Sequence, residues 1–589
     1  MTRVNIVGAG LAGLSAAVRL AQMNIPSALI SLQASERAQS VLAEGGINAA
    51  MNVSGENDTV REHFEDTMRG GVYLADPGAV RGLTREAPVI VQDLLDLGVP
   101  FNMEGNSLVQ RRFGGQKKTR TTYARSSTGK ALMTAMIDAA RKYENMGAGG
   151  AEQAGPVSKT GPAAPEEPLI LRYPHHRFLQ LELKEGSCTG VHLLDIYTGK
   201  SMLLSGPVIL AFGGPNGLFP GRTTGTTAND AGALAAVFAQ GVELGNLEYI
   251  QYHPTTVQIS GKRMLVSEAA RGEGGRLYVM RGGRKWYFME EKYPELGNLM
   301  PRDVVSREMD AVLRDPGCDS EILLDLTGLP DKVWKKRLPD LRREILHYLD
   351  LDPAREPVPV SPGIHFFMGG ILVDRAHRAS IPGLYAAGEC ACQYHGANRL
   401  GGNSLLGALY GGRVAAQSAA DLIRTTGGGS EKEEAKRTGH RSGCIQRDGF
   451  SETGMKTPSF GGQTGKKQER EAFPDPEAAF SAAAADQLAQ ILSKGLGIIR
   501  DEESIDRALC ALKELDGQLL QSGRRKAADS RRIRLGEAML LSARARKESR
   551  GAHTRADYPD RDDEHFQKTT VAVWRDGEIA ISFRDLPVE

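Results

Sequence analysis

Cysteine is scarce in this chain, with six among 589 residues. They are scattered except for Cys390 and Cys392, and no CxxC pair occurs. A disulfide framework is thereby excluded. No four-cysteine set is present that could carry an iron–sulfur cluster or a structural zinc, so no metal site is expected. Long apolar runs are missing too: none reaches the ~18 residues that a membrane-spanning helix needs. Charge of one sign is not in excess, because 73 Lys and Arg face 72 Asp and Glu for a net +1. Such a balance creates no field to attract nucleic acid or an anionic membrane. No basic segment with an apolar signal core and no twin-arginine pair opens the sequence, which enters VNIVGAG almost at once. The expectation is a cytoplasmic protein, held at the inner face of a membrane, if at all, through partner subunits.

What is present is an ordinary globular composition, 41% hydrophobic and 25% charged. Residues 3–23 read as a strand, a Gly8-Ala-Gly10-Leu-Ala-Gly13 turn and an alanine-rich amphipathic helix. Glycines at that spacing between strand and helix allow a tight turn, close approach of a pyrophosphate, and close packing of helix on strand. The acidic residue that commonly grips the adenosine ribose after the next strand is absent, and Ser31 stands there instead. The Glu44-Gly45-Gly46-Ile47 turn follows. Residues 60–143 read as mostly helical, interrupted by RRFGGQKKTRTTYARSSTGK, with Thr128-Gly129 opening a helix.

Residues 146–168 are low-complexity Gly, Ala and Pro, expected as a surface loop. RFLQLELKEG and CTGVHLLDI read as a hairpin, and SGPVILAFGG as a buried strand ending at a nucleotide-binding edge. Thr223 to Leu244 reads as one capped amphipathic helix. Beyond it the nucleotide motifs stop, and 245–352 reads as an inserted domain. From His365 to Arg413 come a histidine before a Gly-Gly turn, a strand ending Ala-Gly-Glu389, and Asn398-Arg399 before a glycine-rich helix start. A strand, polar turn and helix start of that kind offers backbone N–H groups to a ligand. Residues 425–475 are polar and aperiodic, expected as a flexible insertion. Apolar positions three and four apart make 476–548 helical, with Arg524, Arg525, Lys526, Arg531, Arg532 and Arg534 expected on a solvated face. A dense charged loop, 548–563, precedes two terminal strands.

His253, His365, Arg302 and Arg399 are donors able to clamp two carboxylates. Glu268 lies three residues before Arg271, which places both on one helical face, suited to relaying protons. These stretches are GAGLAG, AEGGIN, RRFGGQKKTRTTYA, HPTT, SEAARGEGG, PRDVVSR, HFFMGGI, AAGEC, HGANRLGGNSLLGALYGG and ESRGAHTRADYPDRDD. On them the chain resembles the flavoprotein subunits of succinate dehydrogenase and fumarate reductase. It is nearest the form found with a diheme or quinone-reactive membrane anchor, over nearly all of its length outside 146–168 and 425–475.

The resemblance implies an α/β Rossmann-like FAD-binding domain (1–244 and 353–424) with an inserted α+β capping domain (245–352), a flexible insertion (425–475), a C-terminal helical domain (476–548) and a final segment (549–589). It implies that Gly8, Gly10 and Gly13 meet the FAD pyrophosphate, that Glu389 holds the ribityl chain, and that Ser404 and Leu405 serve the flavin pyrimidine edge. Ser31, Gly45, Gly46 and Asp230 complete the expected cofactor contacts. His365 and Arg399 would bind one substrate carboxylate, with His253, Thr255 and Ser267 flanking the other and Phe113-Gly114 along the substrate. Arg302 would give the proton, fed by Glu268 and Arg271.

One departure stands out. The family's flavin-linking histidine falls on Gln39, so the FAD is expected to be non-covalent, with a lower potential that favours fumarate reduction over succinate oxidation. Electrons would come from a separate iron–sulfur subunit with its membrane anchor, or from a soluble donor. Three other readings stay open. They are L-aspartate oxidase, which shares fold and clamp, a reductase of a related unsaturated acid, and a catalytically silent flavin-binding subunit.

Overall fold

The computed structural model describes residues 2–146, 167–438, 482–523 and 526–588. Most of the Gly/Ala/Pro stretch (147–166) and residues 439–475 of the polar insertion lie outside the described residues. The first part of that insertion is not irregular: the helix beginning at Asn403 runs on as backbone to Thr438.

A five-stranded parallel sheet forms the base, in the order Leu384–Ala386, Val208–Leu210, Val4–Val7, Ser27–Ser31, Ile170–Pro174. Its central strands are apolar throughout because both faces are covered. Helix Leu11–Gln22 crosses the long helix from Asn403 at close range. Ser15 Oγ donates to the Leu409 carbonyl at 2.7 Å, and a Cβ on Gly412 would sit 2.4 Å from the Ala12 carbonyl oxygen. The hairpin His176–Lys184 with Ser187–Asp195 forms as the sequence predicts, extended by the edge strand Ser201–Ser205.

The stretch from Thr223 to Leu244 is not one helix. Only Gly232–Ala239 is helical, and Ala231 before it is left-handed at φ 60°. The TTGTTAND segment pays no helix dividend from burial; instead its backbone and hydroxyls bond outward, Thr224 N–H to the Ile364 carbonyl at 2.9 Å and Thr223 Oγ1 to Asn216 Oδ1 at 2.6 Å.

A second, six-stranded sheet carries the cap. Its order is Lys262–Leu265, Ile250–Ile259, Val358–Phe367, Cys318–Asp325, Arg276–Arg281, Arg284–Trp286. Strand Val358–Phe367, placed beyond the cap by the sequence reading, pairs antiparallel with Ile250–Ile259, with His253 opposite Gly363. Helices Arg302–Arg314 and Pro339–Leu349 supply Met309, Val312, Leu341 and Ile345 to a core shared with Leu277, Ile322 and Leu324.

Helices Ala482–Gly495, Glu502–Gln521 and Ala527–Ala545 pack together. Arg532 does not lie on a solvated face. It is buried, and its guanidinium meets the Asp230 carboxylate and donates to the Asp230 carbonyl at 2.8 Å. Arg524 and Arg525 lie outside the described residues. In and beside the charged segment 548–563, Arg546, Glu548, Arg550, His553 and Arg555 are buried as well, while Asp557, Asp560, Arg561 and Asp563 are exposed. Arg546 pairs with Glu248 at 2.7 Å and Glu548 at 2.8 Å, Arg550 holds Glu548, and Arg500 donates to the Glu248 carbonyl and to His553 Nδ1. Strand Lys568–Arg575 then joins the strand Leu244–Gly245, so the end of the chain is stitched to the start of the cap.

Candidate active site

Between the carboxyl edge of the parallel sheet and the cap lies a cleft of about 940 Å³. Its floor is glycine-shaped. Gly8 adopts φ +120°, and a Cβ on Gly13 would stand 1.8 Å from the Gly8 carbonyl oxygen, so helix and strand approach as closely as the sequence predicts. Helix Leu11–Gln22 starts at Gly10, which has no side chain to cap it; Ser40 Oγ accepts the Leu11 N–H at 3.2 Å, and this helix start lines the cleft. Gly46 is at φ +138°, with Thr121 and Thr122 where a Cβ would go.

Ser31, Gly45, Asp230, Glu389, Ser404 and Leu405 all line the same cleft. Glu389 accepts the Phe367 N–H at 3.1 Å, and burial pushes its carboxyl up to about 7. The Asp230 carboxylate is taken by Arg177 at 2.9 Å and by Arg532, so it faces the cleft already paired. Gln39 Oε1 accepts the Thr226 N–H at 2.6 Å, fixing this amide in the wall. The volume of the cleft, the helix start and glycines at its floor, and the Glu389 carboxyl fit an extended dinucleotide such as FAD.

At the cap end the predicted polar residues converge. The imidazoles of His253 and His365 meet edge to face, centroids 5.1 Å apart. His253 Nδ1 lies 3.1 Å from the Thr255 carbonyl oxygen, which assigns the proton to Nδ1 and leaves Nε2, buried and without a partner, as the free nitrogen. Thr224 Oγ1 holds His365 Nδ1 at 2.9 Å. Burial and then the charges of Arg302 and its neighbours keep both imidazoles far below the usual histidine range. The Arg399 guanidinium lies over Phe366 at 4.4 Å with its Nε unpartnered.

Arg302 opens its helix and aims inward. Its Nε and Nη2 both donate to Glu268 Oε2, at 2.9 and 2.6 Å. Glu268 Oε1 accepts the Gly114 N–H at 3.0 Å and faces Arg271 at 3.7 Å. Burial raises the Glu268 carboxyl, but Arg302, Arg271 and these hydrogen bonds outweigh it, and the net direction is down. Helix Glu268–Gly272 puts Glu268 and Arg271 on one face as predicted. Phe113 is buried against the cap core, and Ser267, at the N-cap position of this short helix, makes no side-chain capping bond. Thr255 is tied back to the Val266 carbonyl at 2.8 Å.

Two residues at this site escaped the sequence reading. Gln251 is fully buried; its Oε1 accepts from Arg302 Nη1 at 3.1 Å, and its Nε2 donates to Asn398 Oδ1 and the Arg399 carbonyl, both at 2.8 Å. The only signal was its place two residues before His253 in a strand. Glu44, read as part of a turn, lines the cleft with Oε2 unpartnered, and burial followed by Glu344 raises its carboxyl.

Residues 3–405 match the family described as FAD binding domain, and residues 485–589 match the one described as Fumarate reductase flavoprotein C-term. The succinate dehydrogenase flavoprotein subunit of Bacillus subtilis is 33% identical, over 96% of this chain and 93% of its own length. The chain belongs to the succinate dehydrogenase/fumarate reductase flavoprotein family. It is an FAD-dependent oxidoreductase, as the resemblance implied. The 8-methylmenaquinol:fumarate reductase flavoprotein subunit of Wolinella succinogenes is 32% identical, over 99% of this chain and 90% of its own length. The E. coli quinol fumarate reductase FrdA structure superposes with a TM-score of 0.79 at 28% identity, covering all of this chain and 97% of that one. The expected FAD-binding, capping and helical architecture is therefore that of the family. Among the described residues no helix is long and apolar enough to cross a membrane, and no cluster of side chains forms a metal site.

Proposed function

We propose that the chain reduces fumarate to succinate, and oxidises succinate less readily, at the cap end of the cleft. One observation carries the reading. Three buried guanidiniums, Arg271, Arg302 and Arg399, face one carboxylate held charged, Glu268, and a second, Glu389, that burial pushes up to about 7, so positive charge is in excess beside imidazoles held far below the usual histidine range. A dianion restores neutrality in a site that excludes water.

FAD, held by the glycine floor and the helix starts, supplies the hydride when bound. His365 and Arg399 hold one carboxylate, and His253 with the Thr255–Ser267 turn holds the other. Held at both ends, the alkene is twisted and polarised toward attack. Arg302 delivers the proton to the second alkene carbon. A guanidinium is a poor acid, so the donation needs a strongly basic carbon and immediate return of the proton from Glu268, which sits on Arg302 at 2.6 Å. Arg271, at 3.7 Å from the other oxygen of Glu268, holds that carboxylate charged between turnovers and supplies it with the proton that it hands on to Arg302. Gly114 N–H fixes its orientation.

Gln39 offers no nucleophile for a bond to the flavin, so the FAD is held without a covalent link and its potential is the lower for it. That supports reduction as the favoured direction. With six cysteines and no cluster motif, the chain takes electrons from outside itself, through an iron–sulfur subunit on a membrane anchor or from a soluble donor, on the cytoplasmic side. A steady-state comparison tests the whole reading: fumarate reduction with a reduced low-potential dye, succinate oxidation, and aspartate oxidation on the same flavin-loaded protein. Fumarate reduction should be fastest. Succinate oxidation well above it overturns the direction, and aspartate-dependent peroxide overturns the substrate.

A further inference from the structure

Arg222 and Arg263 are the cationic pair that the inner site does not use. Strand Val358–Phe367 carries His365, and Gly363 lies two residues before it, about 7 Å along the strand. Residues two apart share a face. The segment 222–224 runs beside this strand, with Thr223 opposite Ile364, Ile364 N–H on the Arg222 carbonyl at 3.0 Å, and Thr224 on His365. Arg222 therefore lies on the face of Gly363 and His365. From the other side, Arg263 crosses the same face: its Cδ would stand 2.7 Å from a Cβ on Gly363, and its Nη1 donates to Thr256 Oγ1 at 2.9 Å and Ser361 Oγ at 2.8 Å. Gly363 is thus the residue that leaves room for a cation beside the clamp histidine.

Both bonds of Arg263 go to neutral hydroxyls. Among the described residues neither arginine has a carboxylate within ion-pair distance, although each of Arg271, Arg302 and Arg532 has one. Burial, then the charge of Arg222, lowers the Arg263 guanidinium, as expected of two like charges left facing each other. Arg263 and Lys262 line the cleft that contains His365, and Arg222 and Lys262 are exposed to solvent.

We propose that Arg222 and Arg263 form an outer anion station, at which a small dicarboxylate docks by one carboxylate before passing along the Gly363 face to His365. The assignment rests on the dicarboxylate reading of the inner site. The station sets capture of the substrate and leaves the chemical step to the inner residues. Because it works through charge at an exposed mouth, it acts on kcat/KM and is weakened by salt.

The test is the steady-state rate of fumarate reduction by the flavin-loaded protein as ionic strength is raised. Arg222→Gln and Arg263→Gln should each lower kcat/KM about tenfold at low salt, mainly through KM, and flatten its dependence on ionic strength. Arg263→Lys keeps the charge and should keep the slope. Inorganic phosphate should inhibit the wild-type protein competitively with fumarate, and less so after either Gln substitution. A fall in kcat at unchanged KM, a wild-type salt slope in the Gln variants, or loss of the slope in Arg263→Lys overturns the station. Should the Gln variants fail to retain flavin, non-competitive phosphate inhibition of the wild type overturns it alone. A wild type that turns over no dicarboxylate instead overturns the reading of the inner site.

Discussion

Replacing Arg302 by lysine isolates what its shape contributes from what its charge contributes. Lysine keeps the positive charge, so Glu268 is not left as an orphaned buried anion, and the cost of about 3–5 kcal/mol for stranding one partner is avoided. What is lost is the planar fork. Arg302 places two N–H groups on Glu268 Oε2 at 2.9 and 2.6 Å while a third donates to Gln251 Oε1 at 3.1 Å. One ammonium on a flexible stem does not span both acceptors. Losing one hydrogen bond costs stability about 1 kcal/mol. The catalytic effect is much larger, because a positioned proton donor contributes about 10²–10⁴-fold. Fumarate reduction with reduced dye should therefore fall at least ~100-fold in kcat, or about 2.7 kcal/mol of barrier, while KM moves only a few-fold because His253, His365 and Arg399 remain. Flavin content and melting temperature, measured on the same preparation, should stay near wild type. A variant that is well folded, flavin-loaded and within tenfold of wild-type turnover would refute the assignment of Arg302 as proton donor and leave it a purely electrostatic residue.

Glu268→Gln keeps the size of the side chain but removes the only charged carboxylate between Arg302 and Arg271; kcat should drop about as far as in Arg302→Lys, and thermal melts should show a loss of about 3–5 kcal/mol. Because the Glu268 carboxyl is depressed in the fold, that stabilisation is complete above the ordinary carboxylate range and disappears as pH falls through the depressed value, so the two melting curves should converge only in strong acid. Acid precipitation should leave all yellow colour in the supernatant, and colour remaining in the pellet would refute non-covalent binding at Gln39. Burial lowers His63 to about 3, His395 to about 3 and His377 to about 4, so below an unfolded value of ~6.5 the unfolded chain binds more protons and stability falls. The three together amount to a slope of about 4 kcal/mol per pH unit between pH 6 and 5. A melting temperature flat from pH 7 to 5 would show that these rings are not buried neutral.

Local signals were legible and long-range ones were not. The glycine turn and the hairpin each follow from residues within a few positions, and the sequence reading placed them; the short Glu268–Gly272 helix entered it only as a condition for Glu268 and Arg271 to share a face. The inner clamp was named from residue type, though its convergence depends on the pairing of His253 with Gly363, which no local pattern encodes. Thr223 to Leu244 misled because alanine and spacing favour a helix over the whole stretch, whereas the threonine and asparagine side chains bond to loops and to the strand bearing His365. Arg532 read as solvated because its partner, Asp230, is about 300 positions away. Gln251 had no signature beyond its place two residues before His253; an amide matters here because Arg302 and the Arg399 carbonyl meet on it.

The buried arginine lattice near the carboxyl end has a consequence for how the protein is made. Glu248 lies just before the strand that carries Gln251 and His253, yet among the described residues its charge is paired only with Arg546, with Arg500 on its carbonyl. On a ribosome, the sheet and much of the cap leave the exit tunnel long before those arginines are synthesised. Until then a buried glutamate beside the catalytic strand has no counter-ion, and the strand pairing Leu244–Gly245 with Lys568–Arg575 is missing. Settling the strand that carries Gln251 and His253 therefore waits on a residue 298 positions further along the chain. Replacing Arg546 by methionine would leave every predicted catalytic side chain in place and still strand Glu248 as a buried charge beside the strand that carries them, at a cost of about 3–5 kcal/mol.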